Sequence, residues 1–265
     1  MKRIILILNL VIMSLFSCTF GPPSRFAPEI DFSGQELPIA EAIYERDKSK
    51  LKTLLDRKTT DLNKPAKSGM TYLVYAVLCD NYKIVQLLLE NGADPNIVAP
   101  YVRLHSASPE YLEKLPKYEK EPLNMLPLEV ATQGESDLKL IKLLVKYGAD
   151  INDGRARLPI GRAIDARDME KVKYLLQCGA DINKGDYDTY PPVLTAALSR
   201  NWDMVEFLID HGADPMRADK RGTTVQYWIQ DAIDMSKGKL YPEIKSVVKR
   251  YEALGVKFTY TSEKK

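Results

Sequence analysis

The sequence repeats one tripeptide, Gly-Ala-Asp, four times. The copies end at Asp94, Asp150, Asp181 and Asp214, and the last three follow one another at nearly equal steps. An equal step back from Asp94 reaches Asp61, which opens a related Asp-Leu-Asn segment without the Gly-Ala. A period of about 33 residues is typical of arrays of short helical units that bury their apolar faces only against their neighbours. The spacing therefore predicts a repeat array and not a single catalytic domain.

Each repeat contains two apolar segments with helical spacing. Glycine after the second segment, as at Gly92, is suited to the left-handed cap that ends a helix. The small Ala76 allows two helices to approach closely, and the Asp and Asn side chains that follow the glycine bond nearby backbone in turns. In the clearest copy the apolar positions are Leu73, Ala76 and Val77, then Ile84, Val85, Leu88 and Leu89. We therefore expect a unit of two antiparallel helices followed by a turn.

These residues resemble the ankyrin repeat family, whose unit is a turn plus two antiparallel helices. The second-helix pattern recurs as Val85/Leu88/Leu89, Ile141/Leu144/Val145, Val172/Leu175/Leu176 and Val205/Leu208/Ile209. The family's Thr-Pro-Leu-His start is kept only in part, at residues 71–74, 126–129, 158–161 and 191–194, where the apolar anchor remains and the histidine is absent. The resemblance covers residues 37 to about 258. It implies an all-α ankyrin-repeat solenoid of about six helix-turn-helix units, with a long insertion between repeats 2 and 3.

The period and the resemblance together predict the boundaries of the repeats. The first and last repeats depart from the pattern, as expected for terminal units that show one face to water. Residues 97–123 form the insertion and residues 259–265 a C-terminal tail. The predicted repeats are 37–66, 67–96, 124–153, 154–186, 187–217 and 218–258.

Residues 1–17 have the pattern of an export signal. Lys2 and Arg3 precede an apolar run from Ile4 to Met13, which is too short for a stable transmembrane helix. The segment Leu15-Phe16-Ser17-Cys18 resembles the lipobox of bacterial lipoproteins, which implies cleavage before a lipidated Cys18. The alternative is an ordinary secretory signal that is cleaved after Ser17 or further on.

The residues after the signal predict a membrane-anchored tether. Thr19 after the cysteine implies sorting to the outer membrane, so the resemblance to lipoproteins implies a periplasmic location. Residues 18–36 contain three prolines and little helical patterning. We therefore expect a lipidated N-terminus and a flexible tether over these residues.

The net charge bears on nucleic-acid binding, and the positions of the cysteines bear on disulfide formation. The formal charge of +2 falls to zero when Lys2 and Arg3 are removed with the signal, so a nucleic-acid partner has no general electrostatic support. Cys79 and Cys178 lie in repeats separated by another repeat. Since neighbouring helix layers are about 8–10 Å apart, these thiols are predicted to be small core residues and not a disulfide.

The repeat spacing is broken once, between the second and third repeats. The interval from Asp94 to Asp150 exceeds one period by more than half, and the excess lies in residues 97–123. Long loops in compact domains are usually functional or disordered, and tyrosine offers a large contact area at small entropic cost. The segment is therefore predicted to bind a protein through Tyr101, Arg103, His105, Tyr111, Lys117 and Tyr118. The alternatives are a solvated loop, or a short packed helix over residues 109–115.

The shorter turns carry further candidate contacts. If these turns lie side by side, their charged and aromatic residues form a recognition strip along one edge, although each residue taken alone is better explained as solvated surface. The candidates are Arg155, Arg157, Tyr187, Tyr190, Arg217 and Arg221. A different set, Tyr82, Met169 and Trp202, shares a repeat position that is usually Leu in the family, and we predict these three to be core residues.

No combination of residues points to catalysis. The chain has two histidines: His105 has no identifiable partner, and His211 is expected to complement the last carbonyls of a helix. No hydrolase, zinc-protease or phosphate-binding motif is present. The pairs Asp94/Asn96, Asp150/Asn152 and Asp181/Asn183 recur once per repeat at the same turn, so they are predicted to hold turns. We therefore predict no catalytic residue, no metal and no cofactor.

The resemblance implies a protein-binding module. Some bacterial ankyrin lipoproteins of similar plan act as immunity proteins, which neutralise toxins delivered by neighbouring cells, including type VI secretion phospholipases. A periplasmic, lipid-anchored protein that binds one protein partner, such as a toxin effector, is the implied function, with no nucleic acid and no small-molecule substrate. The alternative is an envelope-stress or maintenance scaffold that binds a resident periplasmic protein.

Overall fold

The structure, a computed structural model, describes residues 27–101, 122–133, 137–185 and 190–260. These ranges contain twelve α-helices, in six consecutive pairs, and one antiparallel two-stranded sheet. None of the described helices has the length and hydropathy needed to cross a bilayer. The elements are α1 (Leu37–Tyr44), α2 (Lys48–Asp56), α3 (Tyr72–Leu78), α4 (Tyr82–Glu90), β1 (Ala99–Tyr101), β2 (Leu123–Met125), α5 (Pro127–Ala131), α6 (Leu138–Lys146), α7 (Pro159–Asp165), α8 (Met169–Gln177), α9 (Pro192–Leu198), α10 (Trp202–Asp210), α11 (Val225–Met235) and α12 (Pro242–Ala253). The predicted all-α class and the six helix pairs are confirmed.

The chain divides into two compact units, residues 1–156 and residues 157–265. The first unit contains α1 to α6 and the sheet, and the second contains α7 to α12. Within the first unit, first helices pack on first helices (α1 on α3, α3 on α5) and second helices on second helices (α2 on α4, α4 on α6). The second unit repeats this order, with α7 on α9, α9 on α11 and α10 on α12.

Asp or Asn side chains cap the starts of the second helices α2, α4, α6, α8 and α10, and a glycine of positive φ follows α4, α6, α8, α10 and α12. The carboxylate of Asp47 accepts a hydrogen bond from the Lys50 backbone N–H at 2.8 Å, and Asn81 caps α4 in the same way. Each such bond satisfies one of the backbone donors left open at a helix start. Gly92 follows α4 with φ +91° and has open space around it. Only backbone conformation therefore requires glycine at this position.

The Asp-x-Asn turns link one repeat to the next. Asp61 accepts a hydrogen bond from the Asn63 backbone N–H at 2.9 Å, which fixes the asparagine. The Asn63 side chain then donates to the Gly92 carbonyl at 3.0 Å and accepts from the Asp94 N–H at 2.8 Å. The second unit has the same arrangement at Asn183. The prediction that these residues hold turns is confirmed, and the structure adds that they also join neighbouring repeats.

Residues 27–36 belong to the fold, although the sequence predicts a tether over residues 18–36. Phe32 is 3% exposed and stacks on Tyr72 with ring centroids 5.1 Å apart. The Tyr72 hydroxyl donates to the Glu36 carbonyl at 3.0 Å, and the Ser68 hydroxyl donates to the Asp31 carbonyl at 3.1 Å. Burial of the Phe32 ring holds this stretch against the first unit, although its sequence has no helical periodicity. The tether prediction is therefore wrong for residues 27–36.

The predicted tail also begins too early. Gln230 on α11 holds Thr259 by two hydrogen bonds, at 3.1 Å to its carbonyl and at 3.0 Å from its N–H. The Tyr260 hydroxyl donates to a carboxylate oxygen of Glu252 at 2.9 Å. Residues 259 and 260 are therefore part of the last repeat.

Only some of the cysteine, tyrosine, methionine and tryptophan side chains predicted to lie in the core are buried. Cys79 is buried and Cys178 is half-buried, and both are free thiols. Trp202 is 3% exposed and donates from Nε1 to the Tyr241 hydroxyl at 2.8 Å. Met169, by contrast, is half-buried, and Tyr82 is 44% exposed at the start of α4. The core prediction is therefore wrong for Tyr82, which is the first residue of α4 and keeps nearly half of its surface exposed.

Candidate protein-binding surface

The insertion starts and ends in the small sheet. Strand β1 pairs with β2 in antiparallel register, with Ala99 opposite Met125 and Tyr101 opposite Leu123. The chain therefore leaves the repeat array and returns to it at neighbouring points. Tyr101, predicted as a contact, is half-buried at the end of β1. The other predicted contacts of the segment, Arg103, His105, Tyr111, Lys117 and Tyr118, lie outside the described residues.

The link between repeats is preserved across the insertion. Asn96 donates from its side chain to the Gly148 carbonyl at 2.9 Å and accepts from the Asp150 N–H at 2.7 Å. These are the bonds that Asn63 makes to the next repeat without an insertion. The second and third repeats thus keep the ordinary contact although the insertion lies between them in sequence.

Arg155 joins three parts of the base of the insertion. Its Nε donates to both carboxylate oxygens of Asp153 at 3.0 Å, and its Nη2 donates to the Asn96 carbonyl at 3.0 Å. Its own carbonyl accepts from the Asn124 side chain of β2 at 3.0 Å. The Arg155 side chain is 60% exposed and Asp153 is 8% exposed. The hydrogen bonds to Asp153 raise the pKa of Arg155, which further favours the charged guanidinium. Arg155, predicted as a partner contact, is thus a positioning residue in the free protein.

A glycine in the preceding turn makes room for β1. Gly69 has φ +86°, and a Cβ atom built on it falls 2.0 Å from the Pro100 carbonyl oxygen. The turn and the first strand of the insertion therefore touch through backbone alone. No sequence pattern connects these two residues, which lie far apart along the chain.

The second unit places the other candidates in different environments. Arg157 is 14% exposed and pairs with Asp165 at 2.6 Å, so it does not fit the prediction of an accessible contact. Tyr190 is half-buried, and Arg217 and Arg221 are exposed. Tyr187 lies outside the described residues. The predicted strip draws on residues of both units, and it stays a prediction.

In the turn before α11, two arginines are exposed and an aspartate is buried. Asp219 is 8% exposed, and its Oδ1 accepts from the backbone N–H groups of Arg221 and Thr223, each at 2.8 Å. Arg217 and Arg221 are exposed, as is Met216 in the same turn, at 46%. Met216 was missed at the sequence level because a single exposed methionine gives no pattern. This turn presents an apolar and cationic surface.

The described residues give no support for a metal site. Across these residues, no group of three or more His, Cys, Asp or Glu side chains is arranged to hold a metal ion. His211 donates from Nδ1 to the Phe207 carbonyl at 2.7 Å, and its ring packs on the Phe207 ring. The predicted role of His211 at a helix end is confirmed.

Helix pairs that are joined by Asp-x-Asn turns, with one hairpin-based insertion, define a helical-repeat scaffold. The description "ankyrin repeats (3 copies)" matches residues 26–99 and 118–224. The chain belongs to the ankyrin repeat family. A fowlpox virus (strain NVSL) protein described as an ankyrin repeat protein is 29% identical over 113 residues, which cover 43% of this chain and 15% of the viral protein. The chain therefore matches much less than two thirds of that relative.

Membership of the family indicates the broad function. Ankyrin repeats form a scaffold for protein–protein interaction, and the family is typically non-enzymatic. The repeats therefore support a role in protein–protein interaction, and the predicted ankyrin-repeat fold class is confirmed.

Proposed function

We propose that this protein is an exported, lipid-anchored immunity protein, which binds and inhibits a toxic effector such as a type VI secretion phospholipase. The observation that carries the proposal is the fixed base of the insertion, where Asn96, Arg155 and Gly69 hold both strands against the repeats. A loop that starts from a fixed base loses less conformational entropy on binding than a free one. A tyrosine-containing segment on such a base suits the blocking of a cleft in a toxin.

The position of the fold relative to its anchor supports the same function. Only residues 19–26 separate Cys18 from the first described residue. A stretch of this length reaches at most about 30 Å, so a lipid on Cys18 holds the first repeat close to the bilayer. An inhibitor of membrane-attacking or wall-attacking toxins acts at that place in the periplasm, and Thr19 favours the outer membrane.

The test combines capture of the partner with a competition experiment. The full chain is purified from membranes with its bound proteins, in parallel with a variant in which residues 103–119 are replaced by a short Gly-Ser linker. A matched control keeps the insertion and carries Lys173→Ala on α8, an exposed residue remote in sequence from the insertion. The proposal predicts that a toxin is captured by the full chain and by the Lys173→Ala control but not by the shortened variant. It also predicts that toxin-producing neighbours kill cells that lack the chain.

The other candidate, an envelope-stress or maintenance scaffold, predicts different results. Cells without the chain then survive the same neighbours, and the captured protein is a resident periplasmic component. Radiolabelled palmitate tests the anchor separately, since Cys18→Ser abolishes incorporation only if this cysteine is lipidated.

A further inference from the structure

The second helices of the first unit form a cationic face. Helices α2, α4 and α6 pack side by side in that order. Their exposed charged residues are six lysines and two acids: Lys48, Lys52, Lys83, Lys139, Lys142 and Lys146 against Asp56 and Glu90. Two further exposed acids cap helices of this face, Asp47 at the start of α2 and Asp137 at the start of α6, and Asp137 forms an ion pair with Lys139 at 3.3 Å. The six lysines still outnumber the four acids when these two are included, so the face carries a net positive charge.

The same helix position in the second unit has the opposite balance. On α8, α10 and α12 the exposed charged residues are five acids and two lysines: Glu170, Asp203, Asp210, Glu243 and Glu252 against Lys173 and Lys249. A surface whose charges serve only solubility has both signs interspersed. It does not require the two units to have opposite charge balances. The excess of lysine is thus a property of the first unit and not of the repeat.

One exposed tyrosine and one half-buried tyrosine lie among these lysines. Tyr82, at the start of α4, is 44% exposed, and Tyr147 follows α6 and is half-buried. The Lys146 ammonium lies 5.8 Å from the centre of the Tyr147 ring. Tyrosine combines an apolar ring with a polar tip, and it is enriched where proteins meet the headgroups of a bilayer. Lysines with interspersed tyrosines are the composition that binds an anionic lipid surface.

The first unit is also the part of the fold next to the N-terminal segment. Phe32 and Asp31 tie residues 27–36 to α3 and to the turn before it. The apolar run at residues 4–13 and Cys18 therefore precede this unit directly in the chain. A weak surface attraction becomes effective when an anchor keeps the surface near the bilayer. Each lysine close to an anionic membrane raises partitioning about fivefold.

We infer that the face of α2, α4 and α6, with Lys48, Lys52, Lys83 and Lys142 and with Tyr82, docks on the headgroups of anionic phospholipids. The contact goes beyond the proposed inhibition of a toxin, because the repeat fold itself, and not only an anchor, meets the membrane. It restricts the rotation of the anchored first unit and fixes which of its sides faces the lipid.

Residue-resolved labelling of lysines tests this contact without any protein partner. The full chain is reconstituted into phosphatidylcholine vesicles and into vesicles with added phosphatidylglycerol, and a water-soluble amine-acylating reagent is applied. Mass spectrometry then gives the labelling rate of each lysine. We expect Lys48, Lys52, Lys83 and Lys142 to react several-fold more slowly on the anionic vesicles, with the difference lost in high salt. Lys67, exposed in the turn before α3, is the internal control and should react equally on both.

Charge reversal provides the matched variants. Lys52→Glu with Lys83→Glu should remove the slow labelling of Lys48 and Lys142, whereas Lys64→Glu with Lys67→Glu should leave it intact; circular dichroism checks that each variant folds. Equal labelling of the four lysines on the two kinds of vesicle overturns the inference. Equal protection by dissolved polyglutamate also overturns it, because the face then recognises acidic chains in general. Neither result bears on toxin binding, which the capture experiment tests separately.

Discussion

Arg155 donates a hydrogen bond from its guanidinium to the backbone carbonyl of Asn96, which lies 59 residues earlier in the chain. The bond spans the whole insertion, since Asn96 comes just before the segment and Arg155 follows the next repeat. Asn96 also binds Gly148 and Asp150, so the residue before the insertion is held from two sides. The insertion therefore begins from a fixed point of the repeat fold.

Replacement of Arg155 should loosen this base. Arg155→Ala removes the bonds to Asp153 and to the Asn96 carbonyl and leaves the carboxylate of Asp153 with fewer donors. Because the arginine is largely exposed, solvent screens the pair, and we expect a loss of about 1 kcal/mol in the free energy of unfolding. Amide hydrogen exchange should rise in β1 and β2. Arg155→Lys keeps the positive charge but not the planar guanidinium that bonds several acceptors at once, so its amide exchange should lie between those of the wild type and Arg155→Ala. Unchanged exchange in both variants would show that the base of the insertion does not depend on Arg155.

Two glycines with similar backbone angles should respond very differently to alanine. Gly92→Ala, at φ +91° with open space, should cost about 1 kcal/mol. Gly69→Ala, at φ +86°, meets the same cost and in addition a 2.0 Å approach to the Pro100 carbonyl oxygen, so β1 has to move. We expect a loss of more than about 2 kcal/mol at this position. Urea denaturation of the two variants measures the difference, and equal midpoints would contradict the contact between the turn and the insertion.

Two asparagines test whether the insertion weakens the stack. Asn63→Ala and Asn96→Ala each remove a bond to a glycine carbonyl and a bond from an aspartate N–H in the next repeat. We expect each to lower the free energy of unfolding by about 1–2 kcal/mol, because both groups are partly accessible to water. A loss at Asn96 much smaller than at Asn63 would mean that the repeats on the two sides of the insertion are only loosely joined.

Alkaline pH should destabilise the first unit through Cys79. Burial raises the pKa of this thiol from 9.0 to about 12. Above pH 9 the unfolded chain loses this proton and the folded chain keeps it, so the contribution to stability falls by about 1.4 kcal/mol per pH unit up to pH 12. Burial also raises the pKa of Tyr72, which adds to the fall above pH 10. Denaturation of the wild type and of Cys79→Ala from pH 8 to 11 should show a stability difference that shrinks as pH rises, and a constant difference would contradict this account.

Local sequence patterns predict the repeat and the roles of its turn residues. Tertiary packing determines which residues outside the repeat pattern are buried. The role of Gly92 follows from its place after an apolar helix, and the role of Asn96 in its turn follows from the adjacent Asp94. Phe32 lies in a proline-containing stretch without periodicity, and only its packing on Tyr72 brings it into the fold. Its burial therefore has no signal in the neighbouring residues.

Residues that are equivalent or adjacent in sequence also differ in their surroundings. Trp202 and Tyr82 occupy the same repeat position, yet the first is buried and hydrogen-bonded to Tyr241, and the second is exposed on the cationic face. Arg155 and Arg157 are close neighbours in sequence, but one holds the insertion and the other pairs with Asp165. Spacing alone does not separate these cases, because the partners come from elements whose placement only the fold determines.

The most direct test of the insertion as the binding element is the affinity of the captured partner for two forms of the chain. One is the full chain, and the other has residues 103–119 replaced by a Gly-Ser linker, with β1 and β2 kept. Because a few central residues carry most of the energy of an interface, we predict a Kd at least about a hundredfold weaker for the shortened chain. The thermal midpoint should be unchanged, since the links through Asn96 remain. An unchanged Kd would contradict the central claim and move the binding surface to the turns and helices.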